Sequence, residues 1–538
     1  MSNRTYCAIL WPMILSAVAT CGWAQLGTQG AIVGVVTDSS DSAVSGAAVT
    51  VQNLDTGLKL SAVTNDAGIF EVLALPVGYY SVTIAYRGFR PWTLERTQLT
   101  VGERRRLEPK LEVGEIAERV HVEASTELVQ TERGAVDAVI GQRQIRDLPL
   151  NGRNPVELVN LIPGVRFVGR GASDRESTVQ GNGNRSDGTE FQIDGLAANQ
   201  ALDERGAGIP NVDTIAEFKV ETSNFGAENG RHVLQVLMVT KSGTNALHGT
   251  LWEFLRNEKL DAFNTFAKLP GARKPKLSQN QFGFSVGGPI IKNRTHFFGA
   301  YEGTRIRQAN IYNSPVPSLL QRSGDFTASG RTVRDPLGGQ PFPGNIIPRN
   351  RFSGAAVYFF PYLLDANSAP ANFRGTAPRS NTVNEYTTRI DHQITSKQRV
   401  FFRGIWIRDD GTTPDYSPAV VDVRHTPQHN IGVDYTYVIT PTTLLTVDAG
   451  TMSSVINRNC ACVGKDNLTQ LAGIQGFPTA GREGSQGLPN SLGITGYTGF
   501  STPFGVPYRL WWTTAGGKAS LSLVRGATPS TSAISFTI

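Results

Sequence analysis

Cysteine is nearly absent from the 538-residue chain, with four in all, at positions 7, 21, 460 and 462. Two of them, Cys7 and Cys21, fall in the first 24 residues, so the cysteines say little about the redox compartment. Cys460 and Cys462 stand one residue apart, a spacing at which a disulfide is strained, and two thiols alone make a poor zinc site. An oxidised loop pair and two inert thiols both stay open. Charge is also sparse: Asp, Glu, Lys and Arg make up 18% of the chain, with a net charge of +6, against the usual quarter. Basic residues are scattered apart from Arg104-Arg105-Arg106, which reads as a solvated strand end or linker, so no nucleic-acid partner is expected. No stretch reaches the ~18 apolar residues of a membrane helix. The seven histidines fall in neither H-E-x-x-H nor a Cys/His zinc spacing. His425 and His429 read as solvated, and Asp409-Asp410 as loop carboxylates. Walker and G-x-G-x-x-G patterns are absent. No catalytic residue, cofactor or metal is expected.

What is present is glycine, 57 residues of it, with frequent Asn, Thr and Ser, a balance that suits strands, turns and polar loops. Residues 1–24 read as an export signal. Arg4 supplies the positive start, Ala8 to Val18 the short apolar run, and Gly22-Trp23-Ala24 the small-residue cleavage site before Gln25.

Residues 30–113 carry short alternating runs, "GAIVGVVTD", "AAVTVQNL", "KLSAVT", "GIFEVLAL" and "YYSVTIAYRGF", separated by turn signals such as Asn65-Asp66-Ala67-Gly68. The pattern predicts a β-sandwich. Asp66-x-Gly68-x-Phe70 and Leu75-Pro76-x-Gly78-x-Tyr80-x-Val82 resemble the carboxypeptidase regulatory-like domain. That resemblance implies a transthyretin-like, carbohydrate-binding-like sandwich with no catalytic residues of its own.

Residues 115–245 are irregular α+β. Leu148-Pro149-Leu150-Asn151-Gly152-Arg153, Pro163-Gly164-Val165, Asp194-Gly195, Glu217-Phe218-Lys219-Val220 and Thr240-Lys241-Ser242-Gly243-Thr244-Asn245 resemble, in order, the plug of Oar-like TonB-dependent outer-membrane receptors. On that resemblance Asn151, Arg153, Asn182, Arg185 and Asp194 are the plug positions singled out for a structural or ligand-contact role.

From about residue 248 the period is two, in a segment expected to run as a partial barrel to 538, although the Ser/Thr-rich tail "SLVRGATPSTSAISFTI" lacks the strong alternation before it. Tyr386, Thr388, Ile390, His392 and Ile394 alternate with Glu385, Thr387, Arg389, Asp391 and Gln393. Strands are expected at 248–257, 280–288, 295–304, 383–394, 398–408, 428–439 and 443–453. They are joined alternately by tight turns and by long connections at 258–279, 305–382 and 409–427. Transmembrane barrels connect their strands in this way. Gly283-Phe284-Ser285-Val286-Gly287 fits the nucleophile-elbow pattern G-x-S-x-G, but no helix follows it. Ser285 is expected to be one small rung of a strand lying against a plug.

The fold class is therefore mainly β: an N-terminal transthyretin-like sandwich, an α+β plug, and an incomplete antiparallel transmembrane barrel of seven or eight strands. Plugged transporters close with about 22 strands, so a split or truncated gene, or a frameshift near the tail, is expected. The resemblance implies a non-enzymatic outer-membrane receptor that admits a nutrient past its plug. A TonB-type energy-transducing protein and outer-membrane lipid would be its partners. Carbohydrate or glycan fragments are the preferred cargo, ahead of chelated iron. The competing reading is a secreted or surface β-rich glycan-binding adhesion protein.

Overall fold

A computed structural model describes residues 28–537, except for 115–119, 123–135, 151, 171–174, 202–203, 224–231, 264–273, 369–371, 415–420, 441–442, 461–467, 477–490, 502–507 and 526–527. The expected cleavage residues Ala24 and Gln25, the plug residue Asn151 and Cys462 lie outside the described residues.

The first module is a sandwich. One sheet orders Ile69–Leu75, Gly30–Val35 and Arg104–Leu107; the facing sheet orders Val120–Val122, Trp92–Leu99, Gly78–Ala85, Ala48–Asn53 and Lys59–Val63. Alternation sends Val49, Val51, Val82 and Ile84 from one sheet, with Ile32, Phe70 and Val72 from the other, into one buried core. Asn65 forms the expected turn, its Oδ1 accepting from the N–H groups of Ala67 (3.0 Å) and Ile69 (2.9 Å). The arginine run is not a linker. Arg104–Leu107 is a strand paired in parallel with Gly30–Val35, and its half-buried Arg104 and Arg105 meet Glu71 and Glu103.

The second module centres on a mixed sheet ordered Val136–Ile140, Ile215–Ser223, Leu234–Thr240, Thr189–Ile193 and Leu196–Ala197. A short helix, Gln142–Asp147, and a hairpin of Val165–Arg170 with Ser177–Gly181 complete it. Its core of Phe191, Ile193, Phe218, Val220, Val236 and Met238 extends onto Val383, Ile405 and Ile407 of the third module.

The third module is one antiparallel sheet of nine strands in chain order: β1 (His248–Asn257), β2 (Leu277–Ile291), β3 (Thr295–Pro315), β4 (Asn372–Thr395), β5 (Gln398–Pro414), β6 (Val421–Thr440), β7 (Thr443–Cys460), β8 (Tyr508–Arg525) and β9 (Thr528–Thr537). Nine replaces the expected seven or eight, because both β8 and β9 pair onward from β7. The strands are also longer than their alternating cores. β3 runs 21 residues, about 70 Å at the usual rise per residue, although 9–11 residues cross a bilayer. β5 accordingly reaches Pro414 and β6 starts at Val421, both inside the expected connection 409–427. No helix among the described residues is long and apolar enough to cross a membrane.

Candidate functional site

The two faces of the nine-stranded sheet differ as the period-two pattern requires. Phe284, Tyr386, Ile390, Trp406, Val433, Val447 and Trp511 point outward and are exposed. Glu302, Glu385, Thr387, Arg389, Arg403, Asp409, Asn430 and Asp434 point inward and are buried. Water would not favour an apolar outer band over a charged interior; lipid outside and a covered lumen do. The plug provides the cover. Gln428 Oε1 accepts from Gly208 N–H (3.0 Å), and Leu196 lies against the backbone of Gly432 and Gly450, where a side chain would collide with it.

Two charged clusters fasten plug to sheet. In the first, Glu302 on β3 and Glu385 on β4 are direct cross-strand partners, and both are fully buried. Like charges so placed repel. Two plug guanidinium groups relieve the repulsion. Arg175 donates through Nη2 to Glu302 (2.5 Å) and sets Nε 3.0 Å from Glu385, while Arg153 Nε lies 3.5 Å from Glu302. Arg153 also pairs with Asp213 and stacks 4.1 Å from the Phe254 ring centre on β1. Asn211 completes the carboxylate shell, donating to Glu385 from its backbone N–H (2.7 Å) and its side-chain amide (2.8 Å). Burial raises the Asp213 carboxyl above its usual range, against the pull of Arg153.

The second cluster centres on Asp194. Its left-handed backbone, φ 49°, starts the Asp194-Gly195 turn. The carboxylate accepts from Thr240 N–H (2.9 Å) and Thr240 Oγ1 (2.7 Å), and faces Arg389 Nη1 (3.2 Å) and Arg403 Nε (3.1 Å). Arg403 is fully buried and also donates to the carbonyls of Asn430 and Ile193, each at 3.3 Å. Arg389 is held by Asp391 as well, which accepts from Ser242 Oγ (2.8 Å).

The sandwich sits at the tight-turn end of the sheet. Asn245 N–H donates to the Asp55 carbonyl (2.8 Å), Gly57 lies against the Asn293 side chain, and Gln29 Nε2 reaches Thr436 Oγ1 (3.2 Å). Val101 N–H donates to the Glu217 carboxylate of the plug. Burial pushes Glu217 up to about 8, opposed by that hydrogen bond.

Of the plug positions read from sequence, Arg153 and Asp194 reach the sheet. Asn182 and Arg185 do not: both are exposed in the turn after Ser177–Gly181, with Asn182 at φ 52°. Asp409 corrects its reading as a loop carboxylate, for it is fully buried on β5 and accepts from Arg424 Nη2 (2.8 Å). His429 lies in β6, within the expected strand 428–439, whereas His425, expected in the connection 409–427, is also in β6 and faces Asp410 across the β5–β6 pair. Ser285 lies mid-strand in β2, opposite Thr250 and Ala300, with no strand–turn–helix elbow around it. Its small neighbours have a partner other than the plug: Gly283 lies under the Trp252 ring and Gly287 beside the His248 ring, both from β1. Sequence reasoning misses Arg175, Glu302 and Arg403. The polar parity of β3, β4 and β5 is the signal that could have found the two sheet residues.

An outward apolar band, an ionic inner face and an α+β module seated on it define part of a plugged outer-membrane barrel. The chain belongs to the outer membrane beta barrel domain family, whose model matches residues 239–528, and residues 31–112 match the carboxypeptidase regulatory-like domain. The chain is similar to the TonB-dependent transporter Oar of Myxococcus xanthus, 24% identical over 337 residues, 59% of this chain and 31% of that protein. It thus spans about a third of the relative's length. Similar solved structures include the outer membrane transporter YddB of Escherichia coli, at TM-score 0.44 and 10% identity over 73% of this chain and 46% of that one. A mutant ferric enterobactin receptor of Pseudomonas aeruginosa is another, at TM-score 0.40 and 11% identity over 74% and 48%. The chain is an outer-membrane protein.

Proposed function

We propose that the chain works as the plug-bearing part of a TonB-dependent receptor that admits carbohydrate or glycan-derived nutrients, with no covalent chemistry. The observation that carries this reading is the ionic seam. Buried ion pairs add little net stability over apolar packing, because desolvation offsets their attraction. A plug meant only to stay would do as well with leucine. A seam of Arg175, Glu302, Glu385, Asp194, Arg389 and Arg403 can instead be rehydrated when the plug shifts, which suits a plug pulled by an energised partner in the inner membrane. Plug residues 136–140 form an edge strand of the plug sheet, and a pull on the chain before them would be transmitted through Glu217 and the sandwich contact.

Support for a sugar cargo comes from the far end. The connection between β3 and β4 packs Phe359 and Leu363 against Leu468 and Ala472, leaving Tyr358, Phe360 and Tyr362 partly exposed. Flat rings of this kind stack on the C–H faces of sugars, as they do on other weakly polar surfaces. Titration of the detergent-solubilised protein with an oligosaccharide panel tests the reading. Saturable binding weakened by Tyr358→Ala and Tyr362→Ala is expected. Binding of a ferric chelate and of no sugar would overturn the cargo assignment.

A further inference from the structure

A cavity of about 800 Å³ opens where the sandwich, the plug and the tight turns of the sheet meet. Seven Arg or Lys side chains line it against three carboxylates, Asp55, Glu217 and Asp391. Two of those carboxylates are engaged, Glu217 by Val101 N–H and Asp391 by Arg389 and Ser242. Three of the cations left over are met by neutral groups. Arg399 Nη2 donates to a hydroxyl, Thr436 Oγ1 (3.3 Å). Arg294 Nε reaches a carbonyl, that of Gln393 (3.4 Å). Arg96 lies 4.0 Å from the Tyr79 ring centre. Arg143 and Arg146 share the single carboxylate of Asp147. Lys241 is depressed by burial and by the neighbouring cations Arg146 and Arg153, against the attraction of Asp213.

Such an excess of positive charge, drawn from three modules around one space, is self-repelling when empty. A single carboxylate would leave most of it uncompensated. A free or monoester phosphate carries more charge, and a diester headgroup spreads its one charge over several acceptor oxygens; both match guanidinium forks. We propose that this cavity binds a compact phosphate-bearing anion, a free phosphate compound or the headgroup of an anionic phospholipid, which clamps the sandwich across the tight-turn mouth of the sheet. The site does not depend on which cargo the receptor takes, so its failure and that of the sugar assignment are separable.

The test is calorimetric titration of the full chain in neutral detergent with inorganic pyrophosphate and, separately, with dioctanoyl phosphatidylglycerol. Saturable binding of either is expected, about tenfold weaker in Lys241→Gln/Arg399→Gln, since each lost charge-assisted contact weakens binding. It should be unchanged in Arg331→Gln/Arg334→Gln on the outer connection. Binding of pyrophosphate supports the site with a free phosphate compound as its ligand. Binding of the lipid alone supports it with the headgroup as its ligand. Should the double variant fail to fold, Arg294→Gln on its exposed turn still weakens binding. No saturable binding of either probe, or equal binding by wild type and the cavity variants, would overturn the proposal.

Discussion

Glu302 and Glu385 face each other across adjacent strands, fully buried, and one plug residue, Arg175, contacts both. Arg153 reaches Glu302 and Asn211 reaches Glu385, but Arg175 is the guanidinium that compensates both carboxylates at once. Arg175→Gln should leave two buried carboxylates under-compensated and cost about 3–5 kcal/mol, the usual effect of breaking a buried pair from one side. Adding Glu302→Gln should restore a large part. Thermal melts of the single and double variants measure the difference; an additive double variant would show that the two sites are not coupled.

Asp194→Asn separates charge from backbone. Asn accepts the left-handed conformation at φ 49° as readily as Asp does, so the backbone is kept while the pairing with Arg389 and Arg403 and one of the two hydrogen bonds from Thr240 are lost. Hydrogen exchange at Thr240 should rise in Asp194→Asn, and rise further in Asp194→Ala, where the backbone is strained as well. Equal effects would mean that the turn, not the charge, is what Asp194 supplies.

Glu217 gives a pH dependence. Its carboxyl is raised to about 8, against about 4.3 when exposed. Between those values the docked form binds more protons than an opened one, so its stability is full at low pH and falls as pH rises through that window. Exchange protection at the sandwich–plug contact should decline from pH 5 to pH 8 in the wild type and stay flat in Glu217→Gln. A steep decline in the variant would assign the effect to another group.

Gly432 is small because Leu196 of the plug occupies the space a side chain would need. Gly432→Val should displace the plug edge and destabilise it by about 1–3 kcal/mol, as overpacking usually does. Leu196→Ala in the same chain should recover most of the loss. Failure of that rescue would place the strain within the sheet.

The sheet's two faces are legible in the sequence because side chains alternate with period two wherever one face meets lipid and the other a plug. Glu385, Arg389 and Asp391 hold the polar parity of β4, and Tyr386 and Ile390 hold the apolar one. The strand ends are not legible. In its second half β3 mixes polar and apolar residues on both faces, as at Arg305, Ile306, Arg307 and Ile311, and the alternation that marks a strand disappears although the pairing with β4 continues. Arg175 is hidden for another reason: nothing local distinguishes it from an exposed arginine, and only the fold brings it to two glutamates more than a hundred residues away. For Gly283 and Ser285 the alternation shows the small face of β2 but not its neighbour, since a cross-strand ring from Trp252 leaves no trace in the spacing of β2.

The most direct measurement uses two tryptophans. Trp406 lies on the outward face of β5 and is partly exposed, whereas Trp512 on β8 is buried on the inward face beside Ala207 of the plug. Two variants are reconstituted in liposomes, each retaining only one of these two residues out of the seven tryptophans in the chain. Brominated phospholipid should quench the fluorescence of Trp406 strongly and leave that of Trp512 nearly unchanged. Equal quenching of both, or quenching of Trp512 alone, would contradict a plugged sheet whose outer face meets lipid.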